Sequence, residues 1–261
     1  MRQSNFAKKS LGQNFLVDQN CIQRIINALE PERSETIIEI GPGRGAITQR
    51  LVDSGSDIIA IELDRELVPM LRERFKPDHN FQIVEGDATQ INFDELLNDH
   101  VKAKVVANLP YYISTAILQH LSSQRHCFSQ LVLMFQKEVV DRITAKPGDS
   151  ERGFLSVLVE SAFSVEKLFD VPPSAFKPVP KVTSSVARFT PKENQIDDEK
   201  ALRDLLSLAF AQKRKTILNN LKSKFPHAQT ALTSAGIDPK RRAESLSLDE
   251  WLLLHGLFSN N

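Results

Sequence analysis

Asn108-Leu109-Pro110-Tyr111 is the stretch whose residue types point most directly to a reaction. An exocyclic base amine is a weak nucleophile, because its lone pair is delocalised into the ring. Two hydrogen-bond acceptors on its N–H bonds favour a pyramidal nitrogen with the lone pair aimed at an incoming methyl group. The side-chain oxygen of Asn108 and the carbonyl of Leu109 or Pro110 can supply them. Pro110 stiffens the turn and has no N–H to donate. Tyr111 offers an aromatic face on which a base can stack. Catalysis of this kind comes from orientation and electrostatics rather than from a strong base.

A second group of residues has the composition of a nucleotide site. Glu39-Ile40-Gly41-Pro42-Gly43-Arg44-Gly45 follows a short β-branched run and precedes a helical pattern. Glycines there permit a tight turn and a close backbone approach to a ligand. Glu62 follows about twenty residues later, a spacing suited to accepting hydrogen bonds from ribose hydroxyls. That pair fits a nicotinamide-dependent dehydrogenase or a methyltransferase, and the lack of GxxxxGK[ST] excludes a P-loop. The spacing is GxGxG rather than GxGxxG, and Glu39 is acidic. Both features suit a cationic sulfonium cofactor, S-adenosylmethionine, better than a pyrophosphate. Asp87, in Glu85-Gly86-Asp87-Ala88, falls after the next strand and is expected to meet the cofactor's adenine amine, with Ala88 beside it.

These residues need a sheet to hold them. Strand patterns are read at 36–40, 57–63, 81–87, 102–110 and 130–136. Helical patterns lie between and after them, at 47–55, 64–75, 114–123 and 137–145. Ser114 is read as an N-cap and Pro69 as an irregularity. Such alternation predicts an α/β, Rossmann-like, mostly parallel sheet with ligands at the carboxyl ends of its strands. Residues 164–189 give two strand-like pieces around a proline-rich turn, an antiparallel finish to the sheet. A polar stretch at 191–200 reads as a linker. The segments 202–225, 228–236 and 246–258 read as helices of a small, all-helical C-terminal domain spanning 201–261. The first domain is then 1–190.

The bulk numbers are those of a globular chain, with 41% apolar and 25% charged residues in 261. No apolar run is long enough to span a membrane, and no secretory signal is read. Cys21 and Cys127 are the only cysteines, which argues against disulfides and a structural zinc site and for buried thiols in the cytoplasm. The net charge of zero hides basic ends. Residues 203–242 carry nine Lys/Arg against two Asp, and the first 24 residues carry four against one. The middle is correspondingly acidic. Basic ends suggest a polyanion as partner.

The ordered set of motifs resembles the ribosomal RNA adenine dimethyltransferases, most closely the branch acting on two adjacent adenines near the 3′ end of small-subunit (16S) RNA. The matching stretches span nearly the whole chain. They include Lys9-Ser10-Leu11-Gly12-Gln13-Asn14-Phe15-Leu16, Glu39 to Gly43, Ile61 to Asp64, Gly86-Asp87-Ala88 and Asn108 to Ser114. Beyond these lie Gln136 to Val139, Val171 to Phe176, Pro178 to Val182 and Gly236 to Pro239. Tyr112 is a departure, since some members carry Asn there, and it puts substrate fit in question. The large-subunit adenine methyltransferases share the crevice and the Asn-x-Pro-Tyr turn, but 172–176 and 236–239 fit the small-subunit branch better.

The resemblance implies S-adenosylmethionine as cofactor and the assembling small ribosomal subunit as partner, with no metal, no membrane and a monomeric state. It implies that residues 1–20 close over the cofactor, with Asn14 and Leu16 as contacts. It also implies that Phe176 faces Tyr111 and sandwiches a flipped base. RNA contacts are expected from Lys8 and Lys9, from Lys213, Arg214 and Lys215 on the 202–225 helix, and from Arg241 and Arg242.

Overall fold

The computed structural model describes residues 12–97, 102–193 and 196–259. In chain order the elements begin with β1 (Phe15–Leu16), α1 (Gln19–Leu29), β2 (Thr36–Ile40), α2 (Ala46–Ser54), β3 (Asp57–Glu62), α3 (Leu67–Arg74), β4 (Phe81–Glu85) and α4 (Phe93–Leu97). Next come β5 (Ala103–Asn108), α5 (Ser114–Ser123), β6 (Phe128–Gln136), α6 (Lys137–Ile143), α7 (Phe154–Ala162), β7 (Phe163–Val171), β8 (Phe176–Lys177) and β9 (Ser184–Pro191). The helices α8 (Glu199–Ala209), α9 (Ile217–Leu221), α10 (Ala228–Ser234) and α11 (Leu248–Ser259) follow. The chain divides into two compact units, Met1–Val140 with Ser164–Pro191, and Asp141–Phe163 with Lys192–Asn261.

In the first unit a seven-stranded sheet runs β4-β3-β2-β5-β6-β9-β7. The pairs β3/β4, β2/β3, β2/β5 and β5/β6 are parallel, and β6/β9 is antiparallel. Strand β2 can be Ile-rich on both faces because a central parallel strand is covered on both sides. Ile37, Ile38 and Ile40 are buried there. Helix α1 buries Ile22, Ile25, Ile26 and Leu29, the 3–4 spacing of one helix face. The Asp18 carboxylate caps it, accepting from the Cys21 amide at 2.8 Å. Neither cysteine is in a disulfide; both thiols are buried, and that of Cys127 donates to the Asp94 carboxylate at 3.2 Å.

Two local expectations need correction. Pro69 does not distort α3. It sits in the first turn, where its missing N–H has no intrahelical partner to lose. Ser114 is not the N-cap of α5, a position held by Ile113. The Ser114 hydroxyl instead donates to the Tyr111 carbonyl at 3.1 Å, bracing the turn before the helix. Helices α1, α4 and α7 are additional to those the sequence pattern predicts.

The second unit takes in more chain than the expected 201–261. Residues 141–163 belong to it because Val157 and Leu158 pack with Leu202, Leu206, Ile217 and Trp251 in one apolar cluster. Arg152, only 2% exposed, adds polar ties within the unit. Its guanidinium donates to the Ala145 carbonyl at 2.9 Å and the Glu160 carboxylate at 2.7 Å. The single helix expected over 202–225 is two, α8 and α9. Thr216 is the N-cap of the second, accepting from the Asn219 amide at 3.3 Å. Among the described residues no helix is long and apolar enough to cross a membrane.

Candidate active site

The loop after β2 turns sharply so that its backbone faces a ligand. Gly41 and Gly43 have φ of 68° and 57°, the left-handed region where a side chain is strained. A Cβ on Gly41 would meet no atom within 4 Å, so the backbone there is bare to open space. The Glu62 carboxylate anchors the loop from the end of β3. One of its oxygens accepts from the Gly43 amide at 3.2 Å and the other from the Asp64 amide at 2.9 Å. A carboxylate has about four lone-pair sites, so each oxygen retains capacity for a further donor. Burial raises the Glu62 pKa against the lowering effect of those amides.

Glu39 lies deeper, 2% exposed, and accepts from the Thr48 hydroxyl at 2.6 Å. Its pKa is pushed up to about 7, first by burial and then by the nearby Glu62 charge, with the Thr48 bond opposing. Two buried carboxylates beside one loop make a setting in which a cation is favoured and a pyrophosphate is not.

A strap, residues 12–16, borders the same crevice and is anchored along its length. The Gln13 amide donates to the Asp64 carboxylate at 2.8 Å. Phe15 packs on Gly43, where a Cβ would come within 3.0 Å of its ring. Leu16 pairs with Phe176 in the small antiparallel sheet of β1 and β8. The Asn14 carbonyl accepts from the side-chain nitrogen of Asn108 at 3.1 Å.

That last bond fixes the reacting turn. A carbonyl oxygen can only accept, so the Asn108 nitrogen must face Asn14, which leaves the Asn108 side-chain oxygen as an acceptor. The Pro110 carbonyl already accepts from the Ile113 amide at 3.2 Å, which favours the Leu109 carbonyl as the second acceptor. Leu109 itself is buried and its amide donates to the Met134 carbonyl at 3.3 Å. The Tyr111 hydroxyl is hydrogen-bonded to Ser184 at 2.8 Å, which holds the ring from its far end.

One void of about 870 Å³ brings together Asn14, Leu16, Glu39, Gly41, Gly43, Glu62 and Asn108-Leu109-Pro110-Tyr111. Leu63 and Tyr112 also line it, 46% and 58% exposed respectively. Leu63 in the lining, and Gln13 and Asp64 as strap anchors, are additional to the residues the sequence motifs single out. The only signal for them was their place next to Asn14 and Glu62.

Asp87 and Ala88 do not line this void. Asp87 sits at the carboxyl edge of the sheet, but one of its oxygens accepts from both the amide and the hydroxyl of Thr89, at 2.9 and 2.8 Å. Ala88 is buried. Phe176 also departs from expectation. It is 1% exposed and packed in the core with Leu16, so its ring is not open to a base across from Tyr111. The strap covers it because β1 places Leu16 opposite.

Among the expected RNA contacts, Lys8 and Lys9 lie outside the described residues. Lys213, Arg214 and Lys215 are exposed, on the turn between α8 and α9 rather than on a helix. Lys213 donates to the Ser150 carbonyl at 2.6 Å. Arg241 is committed internally, with both terminal nitrogens on the Glu250 carboxylate. Arg242 is exposed, 3.9 Å from Glu244.

A Rossmann-like sheet of this order, with acidic residues and a bare glycine loop at its carboxyl edge, defines an S-adenosylmethionine-dependent methyltransferase. The chain belongs to the ribosomal RNA adenine dimethylase family, whose profile matches residues 4–259. It is 43% identical over 255 residues to the ribosomal RNA small subunit methyltransferase A of Saccharophagus degradans, covering 97% of this chain and 94% of that one. The protein of the same name from Geobacter metallireducens is 43% identical, covering 95% and 94%. Among solved structures, a dimethyladenosine transferase from Plasmodium falciparum superposes with a TM-score of 0.80 at 27% identity, covering 94% of this chain and 98% of that one. The 23S rRNA methyltransferase ErmE superposes at 0.70 with 25% identity, covering 93% and 98%.

Proposed function

We propose that this protein transfers methyl groups from S-adenosylmethionine to the N6 amines of two adjacent adenines near the 3′ end of small-subunit rRNA, giving dimethyladenosines as the subunit is built. The observation that carries the reading is the Asn108–Asn14 bond, which leaves one side-chain acceptor beside one main-chain acceptor in the crevice. The small-subunit target is favoured over a large-subunit one by 43% identity to relatives of that name against 25% to ErmE.

When bound, S-adenosylmethionine supplies an electrophilic methyl group on a sulfonium. The glycine loop and the Glu62 carboxylate hold its nucleoside part, and Leu63 offers an apolar face. Glu39 and Glu62 favour the positive charge. The Asn108 oxygen and the Leu109 carbonyl accept the two amine N–H bonds and turn the nitrogen lone pair out of conjugation. Tyr111, pinned by Ser184, stacks on the extruded base. Each transfer breaks the sulfonium S–CH3 bond, with S-adenosylhomocysteine leaving, and the methylated nitrogen gives up one proton to water. After the first, one N–H remains for one acceptor, so the same grip serves a second transfer from a fresh cofactor. Phe176 supports the crevice from within the core.

In this reading the helical unit meets the RNA through the exposed Lys213, Arg214, Lys215 and Arg242, with Lys8 and Lys9 adding to it at the other end of the chain. The protein works in the cytoplasm as a monomer on the assembling small subunit. Mass mapping of small-subunit rRNA from cells with and without the protein tests this. Two adjacent dimethyladenosines are expected to vanish with the protein, and their persistence would contradict the proposal.

A further inference from the structure

A second groove, about 1010 Å³ in void volume, shares Phe15, Leu16, Arg44 and Ala46 with the crevice. Its charged lining residues are Arg44, Arg50, Arg74 and Lys177, and no acidic residue among those described lines it. All four side chains are exposed. They come from the glycine loop, α2, α3 and β8, so their convergence is a product of the fold.

The hydrogen-bond partners of Arg50 and Arg74 are neutral. Arg74 donates to the Arg44 carbonyl at 2.7 Å and to the Gln49 side-chain oxygen at 3.2 Å. Arg50 donates to the Gln19 side-chain oxygen at 3.4 Å. Arg44 lies over the Phe15 ring, 4.6 Å from its centre. These contacts orient the guanidinium groups without cancelling the charge of Arg50 and Arg74. Like charges held around one groove repel, and an anion between them relieves that repulsion. A guanidinium also matches the oxygens of a phosphate in a two-bond fork.

We infer that this groove binds the phosphodiester backbone of the RNA substrate, on the strand flanking the base presented to Asn108. The inference rests on the rRNA activity proposed above. Four cations drawn from four separate segments around one groove suit several successive phosphates rather than one small anion. The shared wall puts that strand next to the crevice, where a nucleotide extruded onto Tyr111 must keep its flanking phosphates. Phe15 and Leu16 give the groove an apolar side for a sugar. Contacts of this kind set register and orientation without reading sequence.

The test uses the full chain and undermethylated small-subunit particles as probe, with Arg50→Gln alone and Arg50→Gln/Lys177→Gln together. Binding to particles is measured across a salt series, and S-adenosylmethionine binding by calorimetry. Each lost contact is expected to weaken particle binding about fivefold near physiological salt and to reduce the salt slope by about 1. KM for particles rises while kcat at saturation and cofactor affinity hold. Unchanged affinity and slope in variants of a wild type that binds particles would overturn the groove. A loss that follows weakened cofactor binding would overturn it too. A wild type that neither binds nor methylates the particles would instead remove the rRNA reading itself.

Discussion

The side-chain nitrogen of Asn108 donates to the main-chain carbonyl of Asn14 at 3.1 Å, so the strap decides which end of the Asn108 amide is offered to substrate. An aspartate at 108 has two acceptors and no donor. It would repel the Asn14 carbonyl and lose the strap contact while keeping an oxygen in the crevice. Asn108→Asp is therefore expected to speed amide hydrogen exchange at 12–16 and to weaken S-adenosylmethionine binding as well as turnover. A strap with unchanged exchange in this variant would separate the two elements.

Gly43 combines a φ of 57° with an approach of 3.0 Å from a built Cβ to the Phe15 ring. Gly43→Ala carries backbone strain of about 1–3 kcal/mol and displaces the ring that seats the strap. Cofactor affinity is expected to fall by about tenfold, equivalent to roughly 1.4 kcal/mol. Calorimetric titration checks this, and wild-type affinity would show that Phe15 moves freely.

Glu39 makes stability depend on pH. Its carboxyl titrates near 4.5 in the unfolded chain and near 7 in the fold. Between those values the folded state holds the proton more tightly, so this group's contribution to stability falls as pH rises through the window. Glu39→Gln removes the titration. Denaturant melts from pH 4.5 to 7 are expected to show wild type losing stability relative to the variant as pH rises. A difference that does not change with pH would contradict the assignment.

In the helical unit Thr216 caps α9, and Arg241 grips Glu250 beside it in the same unit. Burial opposes the Glu250 charge, but the Arg241 and Ser247 bonds outweigh it and lower the pKa. Thr216→Ala is expected to cost about 1 kcal/mol in denaturant melts. Arg241→Gln is expected to lower stability more than it lowers RNA affinity, because its guanidinium is committed to Glu250. The reverse order would restore Arg241 as a phosphate contact.

The parallel strands β2 to β6 were legible because Ile- and Val-rich runs alternate with helical periods. The glycine loop and the Asn108 turn follow those strands directly. The break at Thr216 was not legible, since its capping bond depends on a turn that apolar spacing from Leu202 to Phe225 conceals. Helix α7 was missed because Leu155, Val157, Leu158 and Val159 are all buried and leave no amphipathic stripe. Phe176 was expected to be open because a role was carried over from a resemblance, whereas the β1–β8 pairing that covers it is a contact between distant residues. Charge counted along the chain placed the basic surface at its ends. The groove of Arg44, Arg50, Arg74 and Lys177 forms across the fold from a body counted as acidic.

The most direct test of the amine grip is methyl transfer in vitro by wild type and Asn108→Ala. Purified protein, labelled S-adenosylmethionine and undermethylated small-subunit particles are combined, and the labelled nucleotides are mapped. Wild type is expected to place label on the N6 of two adjacent adenines near the 3′ end of the small-subunit RNA. Asn108→Ala is expected to bind particles normally and transfer roughly 100-fold more slowly or worse, the scale of losing one preorganised polar contact at a reacting centre. Transfer at the wild-type rate by Asn108→Ala, or label on any other atom, would contradict the account.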